Sequence, residues 1–157
     1  MEMQTTPRLA RTIAAIAVAV AAASPIAAGA RLGSAPTCAT SALRLAVSDQ
    51  GTSGGAFIGI HARAQARCVL AGRATLTILQ AGRPARIVGN PLTVRLKGVV
   101  VPQESRLVGH AWWFGWCRSR KALSVVVRYR TLTVRGAPRY VPRCDSPSAP
   151  SRLVAVR

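Results

Sequence analysis

From Cys38 onward, apolar and polar residues alternate in short runs separated by turn residues. A period of two marks strands that bury one face. Leu43, Leu45 and Val47 alternate with Arg44, Ala46 and Ser48, and residues 49–55 read as a flexible turn. Residues 57–64 form a second strand with Ile58, Ile60 and Ala62 on one face. Residues 68–70 continue or pair with it, and Gly72 leads into a β-branched strand over 75–79. The string Ala81-Gly82-Arg83-Pro84 is turn chemistry, 86–88 a short strand and Gly89-Asn90-Pro91 a further turn. Leu92, Val94 and Leu96 then alternate with Thr93, Arg95 and Lys97. Strands follow over 107–116, the most apolar, then over 123–129 and 131–134. Gly136, Pro138 and Pro142 break the pattern, and a Ser/Pro loop over 145–151 precedes a last strand at 153–156. No stretch after residue 30 sustains a period near 3.6 with caps. Short strands with frequent turns predict an all-β fold, an immunoglobulin-like antiparallel β-sandwich over residues 38–157.

Residues 1–30 have a different character. Arg8 and Arg11 precede an uncharged Ala/Ile/Val stretch, Ile13 to Ala23; Ser24 and Pro25 break it, and Ala28-Gly29-Ala30 offers small residues for cleavage. This is the layout of a secretory signal peptide cut before Arg31. The alternative, an uncleaved membrane anchor, is weakened by the alanine content and by Pro25 and Gly29. Residues 31–37, rich in Gly, Ser, Ala and Pro, read as a short linker. The protein is therefore expected to be secreted or associated with the cell envelope.

That expectation changes the meaning of the four cysteines, Cys38, Cys68, Cys117 and Cys144. An even count in an exported small domain reads as two disulfides. No C-x-x-C occurs and neither histidine stands at zinc-ligand spacing, so no metal or cofactor is expected. Of the three possible connectivities, Cys38–Cys68 with Cys117–Cys144 is favoured because each bridge staples one half of the chain. In the chain-entropy model each loop of about 30 residues contributes about 3–4 kcal/mol, less any strain.

Half of the 157 residues are hydrophobic, enough for a core. Charge is lopsided, with 22 Lys+Arg against 4 Asp+Glu and a net charge of +18. Only Lys97 and Lys121 are lysines, a bias that, with the alanine content, matches a GC-rich bacterial genome. Composition alone thus accounts for part of the positive charge.

Catalysis finds little support. Gly51-Thr52-Ser53-Gly54-Gly55 matches G-x-S-x-G, but a nucleophile elbow needs a helix after the serine, and here a strand follows. No His precedes Ser53, as a chymotrypsin-like order requires. Asp49, Glu104 and Asp145 fall in predicted loops, where each is expected to pair with an arginine. His61 has solvent-facing parity, and His110 lies in the aromatic strand as a half-buried, satisfied residue.

The cluster Trp112-Trp113-Phe114-Gly115-Trp116-Cys117 reads mainly as core, with alternate rings inward against a disulfide. Consecutive tryptophans on a strand face opposite ways, so Trp112 is the ring expected near the surface. Arg118, Arg120, Lys121, Arg128, Arg130, Arg135, Arg139 and Arg143 crowd the following segment. Trp112 with Arg118, Arg120, Lys121, Arg128 and Arg130 is the expected contact face. Tyr129 and Tyr140 are too few and wrongly spaced for a base-stacking platform, so no specific nucleic acid is expected.

One family resembles this plan. It rests on Cys38 followed by Ala-Thr-Ser-Ala-Leu-Arg-Leu, a Gly-rich turn, Cys68-Val-Leu-Ala-Gly72, Leu92-Thr-Val, an aromatic strand with Trp113 and Cys117, and a late Cys144 before a closing strand. This resembles the actinobacterial exported "domain of unknown function" family numbered 4232, over about residues 38 to 156. The chain departs from it in having Gly72-Arg73-Ala74 where the family has Gly-x-Pro, and no Asn shortly before Cys68. The resemblance implies an exported all-β module, commonly wall-associated, with no catalytic residues to carry over. The function expected from all of this is a non-enzymatic, envelope-associated binding or interaction module. The alternative is a charge-driven binder of polyanions or an anionic membrane surface. Envelope protein, wall polymer and anionic lipid are the candidate partners.

Overall fold

The computed structural model describes residues 34–156; the signal peptide read over 1–30 lies outside them. The fold is an antiparallel β-sandwich. One sheet has the order β1 (Leu43–Thr52), β2 (Gly55–Ala64), β6 (Arg106–Phe114), β9 (Arg152–Ala155). The other contains β3 (Cys68–Gln80), β7 (Leu123–Tyr129) and β8 (Leu132–Gly136), with β5 (Leu92–Val100) and the two-residue β4 (Arg83–Pro84) on the other edge of β3. With β2 beside β6 and β3 beside β7, the connectivity is immunoglobulin-like, the fourth major strand β5 pairing with β3 rather than with β6.

The alternation places the core between the sheets. Ile58 and Ile60 on β2, Ala111 and Trp113 on β6, Leu70, Leu76 and Ile78 on β3, Leu96 on β5 and Val127 on β7 are all fully buried. Gly109 lets β6 and β5 approach closely: a Cβ there would stand 2.7 Å from Leu96 Cδ2 and 3.1 Å from the Arg95 carbonyl oxygen.

Three elements differ from the expectation. The turn expected over 49–55 shrinks to Ser53-Gly54, because β1 runs to Thr52 and the register stays in phase to Thr52 opposite Gly55. Residues 71–74, expected as a lead-in, belong to one continuous strand. Ala74 is a small buried residue of β3 and Gly72 is exposed, its place restricted to glycine by the Tyr129 ring (2.9 Å from a Cβ there), so the hydrophobic alternation is present but faint. The strand expected at 86–88 is reduced to a single parallel bridge from Val88 to Arg152.

Asn90 replaces strand backbone at the gap between β4 and β5. Its Oδ1 accepts the Ile78 N–H (2.9 Å), and its Nδ2 donates to the carbonyls of Ile78 (2.9 Å) and Ala85 (2.8 Å). Asn90→Ala leaves the Ile78 N–H unpaired at a part-buried edge and removes one of two bonds from each of the Ile78 and Ala85 carbonyls, which keep the Ala85 and Ile87 N–H donors. Thermal unfolding is expected to show a loss of about 2–3 kcal/mol, with Asn90→Asp failing to restore it because two donors are gone.

The disulfides are Cys38–Cys68 and Cys117–Cys144, as the sequence predicts. The first is reinforced by backbone bonds: Cys38 N–H to Val69 O (3.0 Å) and Val69 N–H to Pro36 O (2.8 Å). The packed structure therefore starts at Pro36, inside the stretch read as linker. The second joins the turn after β6 to the long connection before β9, where Trp116 N–H donates to Arg143 O (3.3 Å).

Candidate functional site

The predicted contact face does not assemble as one surface. Trp112 points outward from β6, and Arg128 points outward from β7 in the opposite sheet. Arg118, Arg120 and Lys121 are exposed on the β6–β7 connection, and Arg130 sits in the β7–β8 turn with its guanidinium 5.3 Å from the Tyr129 ring centroid. Parity along one strand assigns a side chain to one face or the other; it does not say which sheet the strand joins. Trp112 is also half-buried rather than free, set edge-on to Phe57 (5.4 Å) and stacked with Phe114 (6.0 Å). Phe57 lies in turn 5.2 Å from the His110 ring. The outer face of β2–β6 is thus an aromatic stripe, with the Phe114 ring lying over Gly55.

Beside that stripe, His61 Nε2 and Ser48 Oγ are 2.8 Å apart across the face. Gly59 makes room for the bond: a Cβ there would stand 2.8 Å from Ser48 Oγ. A serine–histidine contact is the start of a nucleophile–base pair. Here no carboxylate bonds to His61 among the described residues, and the pair lies on a regular strand face whose amides serve the ladder. Ser53 sits apart at the exposed hairpin tip.

The acids follow the expectation only in part. Glu104 pairs with Arg106 (2.6 Å), both well exposed, so the bond adds little stability. Asp49 instead accepts the Tyr140 backbone N–H, while the Tyr140 ring covers Gly51. Among the described residues Arg106–Glu104 is the one ion pair.

The strongest electrostatic feature is the outer face of the β5–β3–β7–β8 sheet. Arg95 on β5 stands directly opposite Arg73 on β3. One step along, Thr93, Thr75, Arg128 and Thr133 form a cross-strand row, and Arg135 follows opposite Val126. Arg73, Arg95, Arg128 and Arg135 are all exposed. Strand spacing and rise make this a diagonal cationic stripe of roughly 20 Å, interleaved with threonine hydroxyls. None of Asp49, Glu104 and Asp145 lies on these strands. Like charges directly opposite on neighbouring strands are destabilising, so the Arg73–Arg95 pair costs stability in the free protein.

Of this stripe, the sequence marks Arg128 as a contact residue and places Arg135 among the crowded cations. Arg95 could have been added from its outward parity in a clear alternation. Arg73 was hidden, because its neighbours Gly72 and Ala74 carry no large side chain to mark the alternation. No family model, curated protein or solved structure matches the chain.

Proposed function

We propose that the protein is a non-enzymatic, exported, envelope-associated binding module that docks onto anionic polymer or an anionic membrane surface through the β5–β3–β7–β8 face. The observation that carries this reading is the facing pair Arg73 and Arg95, continued by Arg128 and Arg135 with no acid on the same strands. An anionic ligand relieves the repulsion that the free protein carries. The interleaved threonines add hydroxyl donors of the kind that bond phosphate oxygens. The two disulfides support an oxidising, extracytoplasmic setting. The signal-like residues 1–30 and the resemblance to the exported family numbered 4232 support export from an actinobacterial cell.

The test is co-sedimentation with anionic cell-wall polymer and with anionic vesicles. Binding is expected at low salt and is expected to be largely lost by about 0.5 M salt, through counterion release and screening. Binding that persists at that salt would instead favour a specific protein or glycan partner. The aromatic stripe of Phe57, Trp112 and Phe114 is the feature that supports this second reading. A Trp112→Ala variant separates the two: its polymer binding is expected to stay within about twofold of wild type, since Trp112 contributes no charge.

A further inference from the structure

We infer that the protein also has a peptide-docking groove, in which an extended segment with alternating apolar and acidic residues adds a strand to the open edge of β6. This goes beyond the polyanion reading: it shares Arg95 with the basic face but stands on the open edge of β6 and the groove beside it. β6 spans Arg106–Phe114, but β9 pairs with it only from Ala111 to Phe114. Among the described residues, 106–110 therefore have no strand partner on that side. An unpaired edge presents backbone donors and acceptors to an incoming strand.

A groove of about 670 Å³ lies along this edge. Consecutive residues Leu107, Val108, Gly109 and His110 all line it. A groove across a sheet face would show alternate residues, so this one follows the backbone itself. The register against β2 slips at this point: Ile60 faces Gly109, His61 faces Leu107, and Val108 is the extra residue of a bulge. Bulges concentrate at sheet edges and re-aim neighbouring side chains.

The opposite bank specifies the occupant. It is formed by the outward residues of β5, Thr93, Arg95 and Lys97, and no acid lines the groove. On the β6 side, Leu107 (47 % exposed) and Val156 (40 % exposed) offer apolar surface. An extended peptide presents alternate side chains to its two sides. Acidic residues on one side would meet Arg95 and Lys97 while the backbone continues the β6 ladder in line with β9. This is strand addition, in which the main chain supplies affinity and the flanking side chains select sequence.

The test uses the disulfide-bonded protein and a labelled eight-residue peptide of alternating Val and Glu, followed by fluorescence anisotropy. Two further peptides carry N-methyl groups on every second amide, one in each phase. The parent peptide is expected to bind, and one of the methylated phases is expected to bind at least about tenfold more weakly, because its ladder donors are gone. The exposed double variant Lys97→Glu/Leu107→Asp is expected to lose at least about tenfold as well. Charge reversal at Arg73, Arg128 and Arg135, outside the groove, is expected to leave the contrast between methylated and parent peptides intact. Equal binding of all three peptides would mean attraction by charge alone and would overturn the inference. So would no binding of the parent, or self-association of the protein that the peptide displaces, since a second copy would then be the occupant. Polymer binding through Arg73, Arg128 and Arg135 is read separately, by co-sedimentation of the same charge-reversal variant.

Discussion

Trp113→Ala is expected to cost about 3–5 kcal/mol of stability, the range for emptying a large buried aromatic site. Trp113 is fully buried and heads the ranking by volume of the fully buried side chains. Its ring meets Trp116 edge to face with centroids 5.4 Å apart. Its Nε1–H donates to Ser151 Oγ (2.9 Å), and Ser151 in turn donates to the Phe114 carbonyl (3.0 Å). The indole therefore fills the sandwich and also fixes the chain as it enters β9. Truncation leaves a cavity and removes the acceptor role of Ser151. For a domain of this size the loss corresponds to a fall in Tm of roughly 10–20 °C. Trp112→Ala, on the outer face, is expected to cost only about 1–2 kcal/mol, mostly through lost contacts with Phe57 and Phe114. Thermal unfolding of the two variants without reductant checks the contrast, and equal losses would contradict the inward and outward assignment.

The second large effect concerns the basic face. Reversing Arg73, Arg128 and Arg135 to glutamate is expected to weaken binding to anionic polymer by at least about 100-fold at low salt, taking about 1 kcal/mol for each cation removed. The fold is expected to tolerate the change, because all three side chains are exposed and none makes an ion pair among the described residues. Arg73→Glu should even be mildly stabilising by itself, since it turns the Arg73–Arg95 repulsion into an attraction worth a few tenths to about 1 kcal/mol. Substitution of the same three residues by glutamine should give a smaller loss of binding and a shallower salt dependence, with the logarithmic slope lower in magnitude by about 2–3. Unchanged binding in both triple variants would place the contact elsewhere on the molecule. Far-ultraviolet circular dichroism of each variant confirms that the sheets are intact.

Much of the architecture was legible because it is written locally. The alternation at 43–47, 57–64 and 92–97 marked strands whose inward residues, Leu43, Ile58, Ile60, Val94 and Leu96, do form the core. The disulfide pairing was legible from spacing and from the expected compartment. Where the text of the chain misled, small residues were responsible. Gly51, under the Tyr140 ring, looked like turn chemistry but extends β1, and Gly72 and Ala74 looked like a lead-in but lie within the continuous strand β3. Side-chain substitution for backbone, as at Asn90, leaves no periodic trace at all. The contact face was the least legible feature. Arg128 and Arg130 share parity, but Arg130 falls in a turn, and the companions of Arg128 come from β3 and β8 through long-range register. The Arg73–Arg95 juxtaposition depends on pairing residues more than twenty positions apart, which neither composition nor periodicity encodes.

The most direct measurement is amide chemical-shift mapping of the disulfide-bonded protein during titration with a short anionic polymer such as polyphosphate. Docking through the basic face predicts shifts concentrated at Arg73, Thr75, Arg95, Arg128 and Arg135, reversed by added salt. Shifts confined to Phe57, His110, Trp112 and Phe114, or spread evenly over every exposed arginine, would contradict it.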